Sequence, residues 1–303
     1  MSMRTMKTLT SAVVASLLAL TGLSGCSSSE VGRAVDKLDS SGLVDDLRQK
    51  GREGLDSLKN ESAGSGADDS TNSQSGESES THGQASDAQA VGNYEATEWN
   101  PSTAPEYYII AGQAVRSALD TAPKAPGVTY AGVDANGRVG RASALISKQM
   151  RDEGSERERN DLPDPAGYKG NNQRVEIPAV DGGKPYKGYF YNRSHMVAKS
   201  LGGEDELENL VTGTRMQNVG MNDSSNPGGM AFTETEARDW LDKNPTGTIQ
   251  YVVTNAYVGS EIMPRSTFVD IRSSDGSIDQ HVEVFNAAMG YTIDYNTGKW
   301  SKN

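Results

Sequence analysis

The chain holds three histidines, and one of them, His195, lies in "YNRSHMVAKSLGG" (Tyr191–Gly203), directly after an aromatic, strand-like run. Around it stand Arg193, Asn209, Arg215, Asn218, Asn222 and Glu234. A neutral imidazole titrates near working pH and suits proton abstraction. An amide oxygen is a hard, neutral ligand suited to a Mg²⁺ ion that keeps most of its waters. No Cys/His set has zinc spacing, and no glycine-rich phosphate loop is present. One histidine, one asparagine and supporting arginines form a set able to hydrolyse a phosphodiester, with His195 deprotonating water and a metal neutralising charge on the phosphate. General-base help of this kind is worth roughly 10²–10⁴-fold. Spacing alone leaves each residue an ordinary alternative. Asparagines are common in turns, Glu234 suits the first turn of a helix whatever its chemistry, and Arg193 and Arg215 fit structural ion pairs. His82, in a polar stretch, and His281, in a strand, are read as uninvolved.

The elements that must position these residues follow from the pattern. "YKGYFYNR" (Tyr186–Arg193) reads as a strand that delivers His195. A loop leads to a short strand at Asn209–Thr214, and Arg215–Asn222 reads as a helical turn or two. Asn226-Pro227-Gly228-Gly229 is a loop. After it, "FTETEARDWLDKNP" reads as a helix, with Thr233 and Glu236 as a capping box and Pro245 as its stop. Thr248–Val258, Ser266–Ser274 and Gln280–Ala287 read as strands, with Asp275-Gly276-Ser277 turning between the last two. Strands and helices without βαβ alternation give an α+β fold.

The rest of the chain divides by composition. The start combines Arg4 and Lys7, an apolar run over Ser11–Leu20, and small residues, the build of a secretory signal too short for a comfortable membrane span. It ends in Leu23-Ser24-Gly25-Cys26, which resembles a bacterial lipobox and implies cleavage before Cys26 and lipid on it. Cys26 is the sole cysteine, so no intrachain disulfide forms. Residues 26–60 show apolar positions at helical spacing, Val31, Ala34, Val35 and Leu38, then Leu43, Val44 and Leu47. Residues 61–99 begin with a stretch that has no large apolar residue, and read as a tether. The domain with chemistry is expected at 100–303. Residues 1–100 take 8 of the 29 basic and 15 of the 41 acidic residues, leaving 21 and 26 beyond and a net charge there of about −5. Such a domain does not advertise polyanion binding, which then needs a local basic cleft or a metal.

The run "YNRSHMVAKSLGG…ENLVTGTRMQN" resembles the DNA/RNA non-specific endonucleases of the ββα-metal (His-Me finger) type, in their secreted or surface-anchored bacterial branch. That motif is usually Asp-Arg-Gly-His, and here it is Asn192-Arg193-Ser194-His195. The similarity extends over about Tyr130 to Gly298. The resemblance implies a ββα-metal core with a mixed or antiparallel sheet and flanking helices. It implies His195 as general base, Asn218 as metal ligand, Asn209 as a supporting asparagine, and Glu234 as an acid holding the metal's waters. Arg193 is then a site-orienting or phosphate-contacting residue, and Arg215 a weaker substrate contact. Mg²⁺ is the expected cofactor, with Mn²⁺ as the second candidate. Expected partners are DNA, RNA and, through Cys26, the membrane, with the domain on the extracellular face; no protein partner is inferred. Two alternatives stand beside this reading: a catalytically inactive relative that binds DNA at the surface, and a structural lipoprotein.

Overall fold

The computed structural model describes residues 94–158, 160–221 and 226–303. The signal segment, Cys26, the amphipathic stretch at 26–60, most of the tether, His82 and Asn222 lie outside the described residues. The first half of the fold runs β1 (Tyr108–Gly112), α1 (Arg116–Leu119), β2 (Gly127–Tyr130), β3 (Ala142–Ser147), α2 (Lys148–Glu156), β4 (Arg174–Ile177) and β5 (Tyr186–Tyr189). Then come β6 (Tyr191–His195), β7 (Leu210–Thr214), α3 (Arg215–Val219), α4 (Met230–Lys243) and β8 (Thr248–Ala256). β9 (Ser266–Ser273), β10 (Asp279–Phe285), β11 (Tyr291–Ile293) and β12 (Trp300–Lys302) complete it.

Six strands form a sheet in the order β1–β10–β9–β8–β3–β2, and each adjacent pair is antiparallel. The fold is α+β, as expected, with an antiparallel sheet. β8, "TIQYVVTNA", is rich in β-branched residues and buried on both sides. On one face Ile249, Tyr251 and Val253 meet Ala237 and Leu241 of α4. On the other, Val252 meets Ala118 and Leu119 of α1. The hairpin of β6 and β7 is tied into the first of these clusters by Met196, Val197, Leu201 and Val211. Fully burying one such side chain contributes about 1.5–3 kcal/mol. Among the described residues no helix is long and apolar enough to cross a membrane.

Three local expectations differ from what forms. "YKGYFYNR" is two strands, because the chain changes partner at Phe190. Its N–H bonds Gln173 O and its carbonyl accepts from the Arg215 N–H, so β5 pairs with β4 and β6 with β7. The helix expected from Phe232 begins at Met230, capped by Gly229, and there is no Thr233–Glu236 capping box. Thr233 is already inside the helix, bonded to Met230 O and to Tyr251 Oη at 2.8 Å. Packing also begins upstream of Asn100. Tyr94 Oη donates to Asp270 at 2.6 Å, Thr97 bonds Glu283, and Trp99 stacks on Tyr107 at 4.7 Å.

Candidate functional site

His195 is the last residue of β6, paired across the hairpin with Leu210. The next residues, Met196 and Val197, are fully buried, so the loop expected after the histidine is nailed into the core where it starts. Asn209 closes that loop. It is fully buried, and its Oδ1 accepts the Val197 N–H at 2.9 Å while its Nδ2 donates to Val197 O and Glu204 O. Its carbonyl also accepts the Met196 N–H at 2.9 Å. Every polar atom of the Asn209 side chain is thereby engaged in holding both ends of the loop, a scaffold role. From outside, Lys199 Nζ reaches Gly154 O of α2 at 2.8 Å. Gly154 must lack a side chain, since a Cβ there would lie 2.2 Å from Lys199 O.

Asn218 comes from the opposite direction. β7 ends at Thr214, and Thr214 is at once the N-cap of α3, its hydroxyl accepting the Gln217 N–H at 2.9 Å. That abrupt strand-to-helix turn sets Asn218 one turn into α3, beside β6. Ser194 Oγ donates to Asn218 Oδ1 at 3.0 Å, so one hydrogen bond joins the helix to the residue preceding His195. The helix continues into a close junction with α4. Gly229 has φ +55°, and a Cβ on it would lie 2.2 Å from Gln217 O. Its N–H is bonded to Glu106 O at 2.8 Å.

The charged candidates divide. Arg193 Nε donates to Asp164 Oδ1 at 2.8 Å, its NH2 group reaches the same oxygen, and its NH1 group bonds Tyr168 Oη at 3.2 Å. Its guanidinium lies 4.2 Å from the centre of the Tyr168 ring. It is half-held by an acid and keeps a partly exposed edge. Arg215, expected as a substrate contact, is 2 % exposed and lies over the Tyr186 ring at 5.1 Å. Burial gives it a scaffold position, because phosphate cannot reach it without rearrangement. Glu234 is buried on α4 with its carboxylate 3.8 Å from Arg238. Arg238 in turn donates to Ser200 Oγ at 3.1 Å, which ties α4 to the turn after His195.

Two participants escaped sequence reading. Ser194 is one, since its interest lies in the partner it finds. The other is Asp205, whose Oδ1 stands 3.0 Å from His195 Nε2. Burial pushes the Asp205 carboxyl up, but the hydrogen bonds from His195 and the Asn160 N–H, with the charges of His195 and Arg157, outweigh it and leave it at about 2. The Asn160 N–H reaches Asp205 Oδ2 at 3.0 Å. Asn160 thus supplies a partner to Asp205, and Asp164 and Tyr168 supply partners to Arg193. Nothing in the sequence distinguishes Asp205 from its acidic neighbours Glu204, Glu206 and Glu208.

Comparison with known proteins follows the same core. A model of the DNA/RNA non-specific endonuclease family matches residues 119–275, more than half of the chain. A deoxyribonuclease of Streptococcus dysgalactiae subsp. equisimilis is 38% identical over 131 residues, 43% of this chain and 39% of that protein. The chain therefore spans about two fifths of that relative's length. The structure of Sda1 nuclease with a bound zinc ion aligns with 68% of this chain and 100% of its own, at 32% identity and a TM-score of 0.62. Magnesium-bound NucA from Streptococcus agalactiae aligns with 59% of this chain and 79% of its own, at 23% identity and a TM-score of 0.47. The matched span runs from α1 to the turn after β9 and takes in the β6–β7 hairpin, α3 and α4, and on that ground the chain belongs to the DNA/RNA non-specific endonuclease family.

Proposed function

We propose that this chain is a metal-dependent endonuclease that hydrolyses DNA and RNA with little regard to sequence, with His195 as general base and Asn218 as metal ligand. The observation that carries the reading is the β6–β7–α3 frame, in which the Ser194–Asn218 hydrogen bond links the candidate ligand to the neighbour of the candidate base.

The donor chemistry fits a hard cation. Among the described residues no group of three His, Cys, Asp or Glu side chains could hold a metal, and Asn218 offers a neutral amide oxygen. Asn218 Oδ1 uses one acceptor position on Ser194 and has capacity for a second. Asn218 would hold the ion directly and Glu234 would bond its waters, a water-rich set that suits Mg²⁺ or Mn²⁺. When bound, the metal supplies positive charge to the phosphate and the departing oxygen.

The chain's own residues do the rest. An imidazole nitrogen of His195 takes a proton from water as the water oxygen bonds to phosphorus. The bond from phosphorus to the 3′ oxygen breaks, and that oxygen takes a proton from solvent, giving 5′-phosphate and 3′-hydroxyl ends. Water is the nucleophile, so the sugar's 2′-hydroxyl is not needed, and both nucleic acids are substrates. Arg193, between Asp164 and Tyr168, orients this strand and offers its exposed edge to phosphate. Contacts limited to the backbone give no sequence preference. Lipid on Cys26 holds the enzyme at the outer face of the membrane, with residues 61–99 as its tether.

Plasmid degradation by the full chain, in Mg²⁺ and in EDTA, beside His195→Ala and Asn218→Ala, tests the reading. Metal-dependent cutting lost in both variants supports it. Retained DNA binding without cutting, across several divalent metals, replaces it with a surface DNA-binding protein.

A further inference from the structure

An imidazole has two nitrogens, and among the described residues the partner of His195 is Asp205, whose Oδ1 stands 3.0 Å from Nε2. The Asp205 carboxylate is built in. Its side chain is 2 % exposed, its Oδ2 accepts the Asn160 N–H at 3.0 Å, and it stands on a loop fixed at several points. Asn209 Nδ2 holds the neighbouring Glu204 carbonyl at 2.8 Å. Arg157 donates to Gly203 O and, at 3.1 Å, to Glu204 Oε2. Of the four acids in "GGEDELE", Asp205 alone is buried.

An ionised carboxylate only accepts hydrogen bonds. Facing one, Nε2 of a neutral imidazole must carry the proton, and the lone pair is left on Nδ1. We propose that Asp205 is a positioning residue that fixes the tautomer and ring orientation of His195, and that Nδ1 is the atom that takes the proton from water. This inference rests on the reading of His195 as general base.

The step balances. The water proton goes to Nδ1, the oxygen–phosphorus bond forms, and the bond to the 3′ oxygen breaks with that oxygen protonated from solvent. The imidazolium so formed carries protons on both nitrogens, and its charge stands against the Asp205 carboxylate. Loss of the Nδ1 proton to solvent resets the base with Nε2–H intact.

Asp205→Asn separates this role from simple support. The amide keeps the shape of the side chain and an oxygen for the Asn160 N–H, but it presents N–H donors to Nε2 and so drives the ring proton to Nδ1. The measurement is ¹⁵N NMR of the full chain labelled at histidine, with the His195 signals identified by their loss in His195→Ala, together with steady-state cleavage. The expected wild-type tautomer is Nε2–H. The expected variant tautomer is Nδ1–H, with kcat lowered roughly 10²–10⁴-fold and KM within about twofold, since a group acting only in the transition state leaves ground-state binding alone. Asp205→Ala, with neither donor nor acceptor, is expected to mix the tautomers and fall between. A wild type with Nδ1–H, or an Asp205→Asn variant that folds and cuts like wild type, overturns the inference while leaving the endonuclease reading intact. If the variant does not fold, the wild-type tautomer decides. A wild type that cuts no nucleic acid overturns the endonuclease reading and this inference with it.

Discussion

Replacing Ser194 with alanine removes one oxygen from a fully buried residue and leaves the strand pairing of β6 untouched. What is lost is the hydroxyl donor to Asn218 Oδ1 at 3.0 Å. A neutral hydrogen bond contributes about 0.5–1.5 kcal/mol net, and that alone lowers affinity for a metal on Asn218 about 2- to 13-fold. Groups that orient a metal ligand typically weigh more, about 10–100-fold in affinity when removed. The two ranges overlap near tenfold, and that is the expected weakening, about 1.4 kcal/mol. The assay is titration of the metal-stripped full chain with Mn²⁺, following the spin-resonance signal of the free ion, beside Asn218→Ala as the case without the ligand. Ser194→Gly, which restores the more usual residue of the motif, should weaken binding to a similar degree if the hydroxyl is what matters. The reasoning is refuted if Ser194→Ala binds Mn²⁺ as tightly as wild type while Asn218→Ala does not bind.

Three further outcomes follow from the same geometry. Asp205 has a folded-state pKa of about 2, below its unfolded value, so its contribution, up to about 2 kcal/mol, is present above the unfolded pKa and disappears as pH falls toward 2; acid titration of stability should show the gap between wild type and Asp205→Asn closing over that window. Gly229→Ala forces a side chain onto a φ of +55° and against Gln217 O, at a cost of about 1–3 kcal/mol from the backbone alone; thermal melts should drop, and a melt equal to wild type would mean the α3–α4 junction is looser than drawn. Cys26→Ser should move the protein from the membrane fraction to the medium without changing kcat of the purified enzyme; retention in the membrane fraction would remove the lipid anchor.

The sheet strands and α4 were legible because their apolar residues repeat at strand and helix periods, and β8 could hardly be anything else. The frame around His195 was legible because an aromatic strand, a short second strand and a helical turn come within one short stretch. What decides the rest is tertiary contact. The start of α4 is set by Gly229 meeting Gln217 and Glu106, which outcompetes the local capping signal at Thr233. Arg215 looks like a surface charge until Tyr186 is brought over it. Asp205 is one of four acids in a polar run, and what sets it apart is tertiary contact, its burial and its bonds to His195 and the Asn160 N–H. The N-terminal packing of Tyr94 and Thr97 depends on acids far along the chain, Asp270 and Glu283.

Strand alternation explains why two odd residues in the motif matter differently from the two usual ones. Side chains at i and i+2 of a strand share a face. Arg193 and His195 turn toward the segment of Asp164, Tyr168 and Asn160, with Asp205 beside them. Asn192 and Ser194 share the opposite face, where Ser194 bonds Asn218 of α3; Asn192 pairs with Gly213, and a Cβ on Gly213 would lie 2.0 Å from Gln217 Oε1. The departures from the motif, Asn192 and Ser194, therefore fall together on the side that holds Asn218, while the proposed base and the carboxylate proposed to set its tautomer lie on the other. Under the proposed mechanism one phosphate is served from both sides, which meet at the C-terminal end of β6, where His195 stands. Among the described residues Ser194 and Asp205 share no hydrogen-bond partner, and changes without shared partners act nearly independently. Asp205→Asn should accordingly leave Mn²⁺ affinity unchanged, and Ser194→Ala should leave the His195 tautomer unchanged. A cross effect in either direction would mean that the two sides of the strand are coupled through His195 itself, and that the division of labour across β6 is wrong.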